Sequence, residues 1–465
     1  MVQPLKAHAA TRRRTGAAAA VLAGWLLFAA APSLAAWSTT RTVNIRGGAA
    51  LATDGRGDVA LAWVGAVRRC SHSRCSYDGR VQVAFGRSTG PFVTRTVWQH
   101  ANTNAYGVTV VLDARGELTV AWVDAHPNID GQRTVRAAYR TPAGRWSAVQ
   151  AVGHSSRLNP LLPVDHVDPR LAVAPDREVL LTWNAGEVFT APGRLAQAWR
   201  RPGHRFGPTA QYRLNGAGMG DQTPIVDSGG AAHVYGVLAY ARPHGRSASN
   251  AVMLSTAAHS RRFGTPLTIA ASTGAVAVSF SAVGQAIAAW LHNGGFEAPG
   301  LPEARLMLRG IFGAPVTLPS DATNSVTAVA ANGGGGSVGW VPEPLSASPD
   351  NVMVATADAS GVFSLPSVQA DRLVPVARDG FGDTLLKEPD VSSGSYALAG
   401  SPFASPVAVQ PLTGGALEPS PMPRTQSPFA QSSAATAFAT AAPVGRGAAI
   451  AWPLANKLAI ATWRP

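Results

Sequence analysis

Residues 108–149 read VTVVLDARGELTVAWVDAHPNIDGQRTVRAAYRTPAGRWSAV. An apolar run rich in β-branched residues leads into the D-x-x-G tetrapeptide at 113–116, and a second apolar run ends at Trp122. A polar stretch follows, then the alternating run 134–140, a turn carrying Pro142 and Gly144, and a fourth run from Trp146. β-Branched residues in period-two alternation favour extended chain, and Asp, Gly and Pro between the runs favour tight turns. The stretch therefore predicts four antiparallel strands joined in sequence, about 42 residues per unit, a size that fits one propeller blade.

The same frame recurs outward in both directions. An earlier copy has the turn at 54–57, Trp63, a third strand over 81–85 and Phe92. Later copies carry Trp183 with Phe206, Tyr240 with Phe263, Trp290 with Phe312, and Trp340 with Phe363. A worn copy is read over 389–419, with Ala399 in the tryptophan place, and the last copy has Trp452 and a third strand over 458–463. Successive second-strand markers lie 59, 61, 57, 50 and 50 residues apart. Such periods suit four-stranded propeller blades and are too long for leucine-rich or β-helix repeats. Tandem sandwich domains would need about 100 residues each. The expected fold is all-β: one β-propeller over 36–465, of eight blades, or of seven if the worn copy is not a blade.

The two ends support a ring. The last copy stops after its third strand, whereas residues 37–43, WSTTRTV, resemble the fourth-strand pattern WSAV at 146–149. A blade sharing strands from both ends would remove the open edges of a linear array. Residues 37–45 are therefore expected to pair antiparallel with 458–463.

Composition agrees with many short strands. Of 465 residues, 46% are hydrophobic and only 14% charged, with 48 Gly and 35 Pro, which leaves little material for long helices. Lys6, Arg12, Arg13 and Arg14 precede the apolar stretch 17–31, then Pro32 and Ser33-Leu34-Ala35, small at both positions read by a signal peptidase. Residues 1–35 are thus expected to be a signal peptide and the mature protein to be secreted, by the general or the twin-arginine route. The apolar stretch is shorter than the ~20 residues of a membrane helix, and no later segment suffices. Removing the four leader cations from the formal +13 leaves +9, spread as single arginines. Scattered charge of that size points to a solvated basic surface, not a nucleic-acid stripe. A monomer is expected. Cys70 and Cys75, the two cysteines, are expected to form a disulfide in an oxidising compartment.

The repeat resembles those of secreted bacterial β-propellers of the sialidase-like (BNR) kind, in degenerate form over nearly all of the mature chain. The family's S-x-D-x-G-x-x-W box is absent; the turns read D-x-x-G. The resemblance implies an extracellular propeller, either a binding module for a protein or glycan or a glycan-active hydrolase, and it carries over no catalytic residue.

Within such blades the second-to-third and blade-to-blade connections share one edge. Here they are the long ones: 65–80, 124–133, 184–193, 242–250, 292–302 and 342–351 within copies, and 100–106, 154–168 and 215–222 between them. Variable loops on a rigid scaffold are where binding concentrates. Asp124, His126 and Asp130 fall in one loop. Asp165, His166 and Asp168 fall in another, beside Arg170, and His292 opens a third. Carboxylates beside histidine suit cation or acid–base roles, yet turn and cap roles explain Asp at such places equally. The spacings match no metal motif, no cofactor signature appears, and no nucleophilic set is recognisable. The repeated tryptophans, one at the same strand end of each copy, are expected to pack between blades.

Overall fold

The computed structural model describes residues 49–369 except 55, 72–73, 88–89, 102, 126–132, 156–168, 187–192, 216–218, 242–246, 272, 282–283, 293–299, 309–310, 321–322, 332–333, 343–351. Outside that span it describes 36–37, 41–44, 374–378, 384–387, 407–410, 418–419, 439–441, 448–454 and 457–464. All regular structure among the described residues is strand, gathered into eight antiparallel sheets. No described helix is long and apolar enough to cross a membrane.

The unit read from 108–149 is the second sheet: Asn104–Leu112, Leu118–Ala125, Arg133–Arg140 and Gln150–Ser155, paired in chain order. The first sheet comprises Ala49–Thr53, Asp58–Ser71, Arg74–Arg87 and Val93–His100. The third comprises Arg170–Val173, Val179–Asn184, Arg194–Arg200 and Ala210–Arg213. The fourth, fifth and sixth begin at Met219, Thr273 and Thr323 and repeat the meander. Consecutive sheets pack on one another: Asp58–Ser71 against Asn104–Leu112, Arg170–Val173 against Met219–Val226, and Thr273–Phe280 against Thr323–Ala330. This succession of four-stranded meanders is the blade arrangement of a β-propeller.

The D-x-x-G turns follow from side-chain chemistry. Asp113 Oδ1 accepts from the amides of Arg115 (2.8 Å) and Glu117 (2.9 Å), and Gly116 stands at φ 80°, where a Cβ would be strained. Asp54 and Asp227 hold their turns likewise. In the third sheet Arg177 takes the glycine's place at φ 71°, and its guanidinium Nε lies 2.7 Å from Asp113 Oδ2 of the second.

The tryptophans form the inter-sheet core. Trp63, Trp122, Trp183, Trp290 and Trp340 are each at most 2% exposed. Trp122 packs with Val64, Val81 and Val83 of the first sheet, and Trp183 with Ala121, Val123 and Val135 of the second. Trp290 packs with Ala251 and Met253, and Trp340 with Ile287 and Ala289. The last four rings thus fill the space against the preceding sheet. Where Gly153 faces Trp183, a Cβ would fall 2.4 Å from the indole.

Two expectations are corrected. Residues 65–80 are not a loop: the second and third strands of the first sheet continue as a long hairpin to Ser71 and Arg74. The stretch lacks a sustained apolar alternation in the sequence, so its pairing was hidden there. Within it Cys70 and Cys75 are direct cross-strand partners, and antiparallel partners lie about 4.5–5.5 Å apart at Cα, a separation that a disulfide spans. The worn copy begins earlier than 389: its sheet is Val374–Arg378, Thr384–Lys387, Val407–Gln410 and Glu418–Pro419. Without a tryptophan on the second strand, the frame was misplaced; Ala399 lies outside the described residues.

The last sheet joins Ala439–Ala441, Ala448–Leu454 and Lys457–Arg464 to both N-terminal segments. Ala36 and Trp37 pair with Arg464 and Trp463, and Arg41–Asn44 pairs antiparallel with Ile460 through Lys457. Ala49–Thr53 of the first sheet lies against Ala439–Ala441 and Ala448–Leu454.

Candidate functional site

In this meander the second strand ends, the third begins, the fourth ends and the next sheet's first begins at one common edge. Asp124 stands next to the end of the second strand of the second sheet, and Arg170 begins the first strand of the third. Both therefore stand on the long-loop edge. His126, Asp130, Asp165, His166 and Asp168 lie outside the described residues.

Asp124 is buried, and its Oδ2 takes a 2.6 Å ion pair from Arg136 Nε on the adjacent strand. Its Oδ1 is also buried and has no hydrogen-bond partner. Beside it Arg133, buried at the start of the third strand, sets its guanidinium 5.2 Å from the Tyr106 ring centroid. Arg133 pairs with Ser155, whose buried hydroxyl likewise lacks a partner. His154 Nδ1 lies 3.1 Å from Thr134 Oγ1. In the third sheet Arg170 is exposed and pairs with Thr182, whose buried Oγ1 is also unpartnered. Asn184 Nδ2 donates to the Met219 carbonyl at 2.9 Å. The edge thus combines fixed cations, a half-satisfied carboxylate and orphan oxygens, each costing about 1–3 kcal/mol if left unbonded.

His292 is held elsewhere. It ends the second strand of the fifth sheet, its Nδ1 3.6 Å from Glu303 Oε2, and Glu303 also accepts from Trp290 Nε1 (2.9 Å) and Thr317 Oγ1 (3.2 Å). That carboxylate is satisfied by structural partners, so His292 is a neighbour of a packing bond. Among the described residues no group of three His, Cys, Asp or Glu could hold a metal ion.

Arg133 and Ser155 fall inside the expected loops 124–133 and 154–168 but stand on strand ends, and Arg136 lies within a strand; a search of loops for carboxylates and histidines passes over all three. The usable signal was the pair of arginines on the strand facing Asp124. Chain folding also assembles Ser255, His233 and Asp227: His233 Nδ1 lies 2.8 Å from Ser255 Oγ, and Nε2 lies 3.2 Å from Asp227 Oδ2. His233 is buried and stacks on Phe280 at 4.3 Å. Burial lowers its pKa against the raising effect of Asp227. Asp227 is meanwhile the turn aspartate, so this relay fixes a turn under an aromatic lid.

No protein-family model matches the chain, and no curated protein matches it. Among solved structures it is similar to a lectin from Burkholderia pseudomallei, with 17% identity and TM-score 0.45 over 80% of this chain and 98% of that one. It is also similar to the β-propeller domain of the trilobed protease from Pyrococcus furiosus, with 7% identity and TM-score 0.41, covering 83% of this chain and 100% of that one. A third is the Trypanosoma rangeli sialidase, at 8% identity and TM-score 0.34, covering 70% of this chain and 55% of that one.

Proposed function

We propose that this chain is an exported, non-enzymatic binding propeller that engages an extracellular glycan or protein through the long-loop edge of its second and third sheets. The observation that carries this reading is the set Asp124 Oδ1, Ser155 Oγ and Thr182 Oγ1. Buried polar atoms without partners mark a place built to bond something other than itself, and in the chain residues 156–168 connect Ser155 of the second sheet to the third, which begins at Arg170. The eight sheets are read as eight blades, the last completed by Ala36–Trp37 and Arg41–Asn44 beside Lys457–Arg464. A ring closed in this way presents its loops on a rigid rim.

The test is binding of the mature protein, residues 36–465, to a panel of immobilised oligosaccharides and secreted proteins, repeated with Asp124→Ala, Asp168→Ala and Arg170→Ala. Loss of about tenfold or more in affinity for the same panel member in these variants, with unchanged melting, is expected. Binding that survives all three would overturn the assignment of this edge. Turnover of any bound glycan would overturn the non-enzymatic part.

A further inference from the structure

The opposite, short-turn edge carries a second feature. The third strand of each early sheet runs into a short turn, and an arginine six residues before the next aromatic reaches back to the preceding sheet. These are Arg140 before Trp146 and Arg200 before Phe206, each paired across its turn with that aromatic. The two arginines meet different surroundings.

Arg200 is sealed. It is fully buried, ion-paired with Glu117, and its Nη2 donates to Thr119 Oγ1 at 2.6 Å. Tyr139 Oη donates to the Gly203 carbonyl at 2.7 Å, while the Gln150 amide exchanges two 2.9 Å bonds with the Phe206 backbone. Between the first and second sheets the same register positions hold Asp58 for Glu117, Phe85 for Tyr139 and Arg95 for Gln150. Asp58 is one methylene shorter and lies 3.8 Å from Arg87. Phe85 has no hydroxyl, and Arg95 has no acceptor for the backbone N–H that Gln150 takes in the neighbouring groove. All three seals are therefore missing while the arginine is kept.

What remains is a cavity of about 290 Å³ lined by Phe85, Arg95, Arg140 and Trp146, with Val83 as its buried floor. Arg140 Cζ lies 4.2 Å from the Phe85 centroid, and Asp58 acts on its charge with no hydrogen bond between the two among the described residues. Trp146 is half-buried, and its indole N–H has no acceptor among the described residues. Arg95 is exposed at the mouth.

We propose that this groove binds a sugar ring carrying a carboxylate, a uronate. The guanidinium fork matches a planar carboxylate in a two-bond pair. The aromatic walls suit the apolar C–H face of a pyranose, and the indole N–H can donate to a ring hydroxyl. The volume sits at the lower bound of ligand pockets, ~300 Å³, which suits one ring in place of a chain. The groove lies on the edge away from the long loops, so it stands or falls independently of them.

Calorimetric titration of the mature protein with glucuronate, glucose, glucose 6-sulfate and acetate tests this. Glucuronate is expected to bind at least about tenfold more tightly than the other three, the factor separating a paired from an unpaired charge contact. Arg140→Gln should lose about tenfold or more with unchanged melting. A second variant guards against misfolding: Asp58→Glu, Phe85→Tyr and Arg95→Gln together install the seals of the neighbouring groove. This triple variant should melt higher and no longer bind. Sulfate or acetate binding as tightly as glucuronate would overturn the uronate assignment. No glucuronate binding, or full binding by Arg140→Gln or by the sealed variant, would overturn the site.

Discussion

Arg200 of the third sheet and Glu117 of the second form an ion pair in which both side chains are almost completely withdrawn from solvent, at 1% and 3% exposure. The Tyr139 ring lies 4.6 Å from the Arg200 guanidinium carbon, and the Gly203 amide also donates to the Glu117 carboxylate. Breaking a buried pair from one side strands the other charge. Glu117→Leu is therefore expected to destabilise the protein by about 3–5 kcal/mol, measured by denaturant unfolding. The double variant Glu117→Leu, Arg200→Met should recover most of that loss. A single variant of wild-type stability would contradict the role given to the pair.

Gly153 and Trp183 set the spacing of the second and third sheets. Because a Cβ on Gly153 would fall 2.4 Å from the indole, Gly153→Ala is expected to cost about 1–3 kcal/mol by overpacking. Adding Trp183→Phe should relieve part of that cost. Additive losses in the double variant would mean that the two residues do not share the space.

The buried imidazole of His233 implies a pH dependence. Its folded pKa is lowered from 6.5, chiefly by burial. Its contribution is fully present above the unfolded value and is lost as pH falls through the folded one, because the unfolded chain takes up the proton first. Stability should therefore fall below about pH 6.5, by at most about 1.4 kcal/mol per unit from this group. Melting temperature against pH should lose that slope in His233→Gln. An unchanged slope would assign it to other groups.

The pairing of Ala36–Trp37 and Arg41–Asn44 with Lys457–Arg464 joins the two ends of the chain. Deleting residues 36–46 should bare the backbone edge of Lys457–Arg464 and promote association. Light scattering of the truncated protein checks this, and a monomer of wild-type stability would argue against the closing role.

The hairpin register of Cys70 and Cys75 leads to an expected disulfide in exported protein. Its intact mass should be about 2 Da below that of the dithiol form. Two alkylatable thiols in the native protein would contradict the bond.

The meander and its repeat were legible in the chain because they depend on local chemistry. Alternation specifies which face of a strand is buried, aspartate and glycine shape a turn through their own backbone, and a tryptophan at a constant strand position marks most of the repeats. The hairpin at 65–80 was not legible, since backbone pairing carries it and leaves no apolar stripe. The seventh sheet was read out of frame for want of its tryptophan. The partners of the arginines lay further out of reach. Arg140 and Arg200 occupy the same place in the same repeat, and what each meets depends on residues about 55 to 83 positions earlier, Asp58 and Phe85 or Glu117 and Tyr139. Only the packing of one sheet on the next brings a hydroxyl and a longer carboxylate to the second arginine and neither to the first. A sequence specifies its own strands through neighbours in the chain, whereas a groove between sheets is set by neighbours in space.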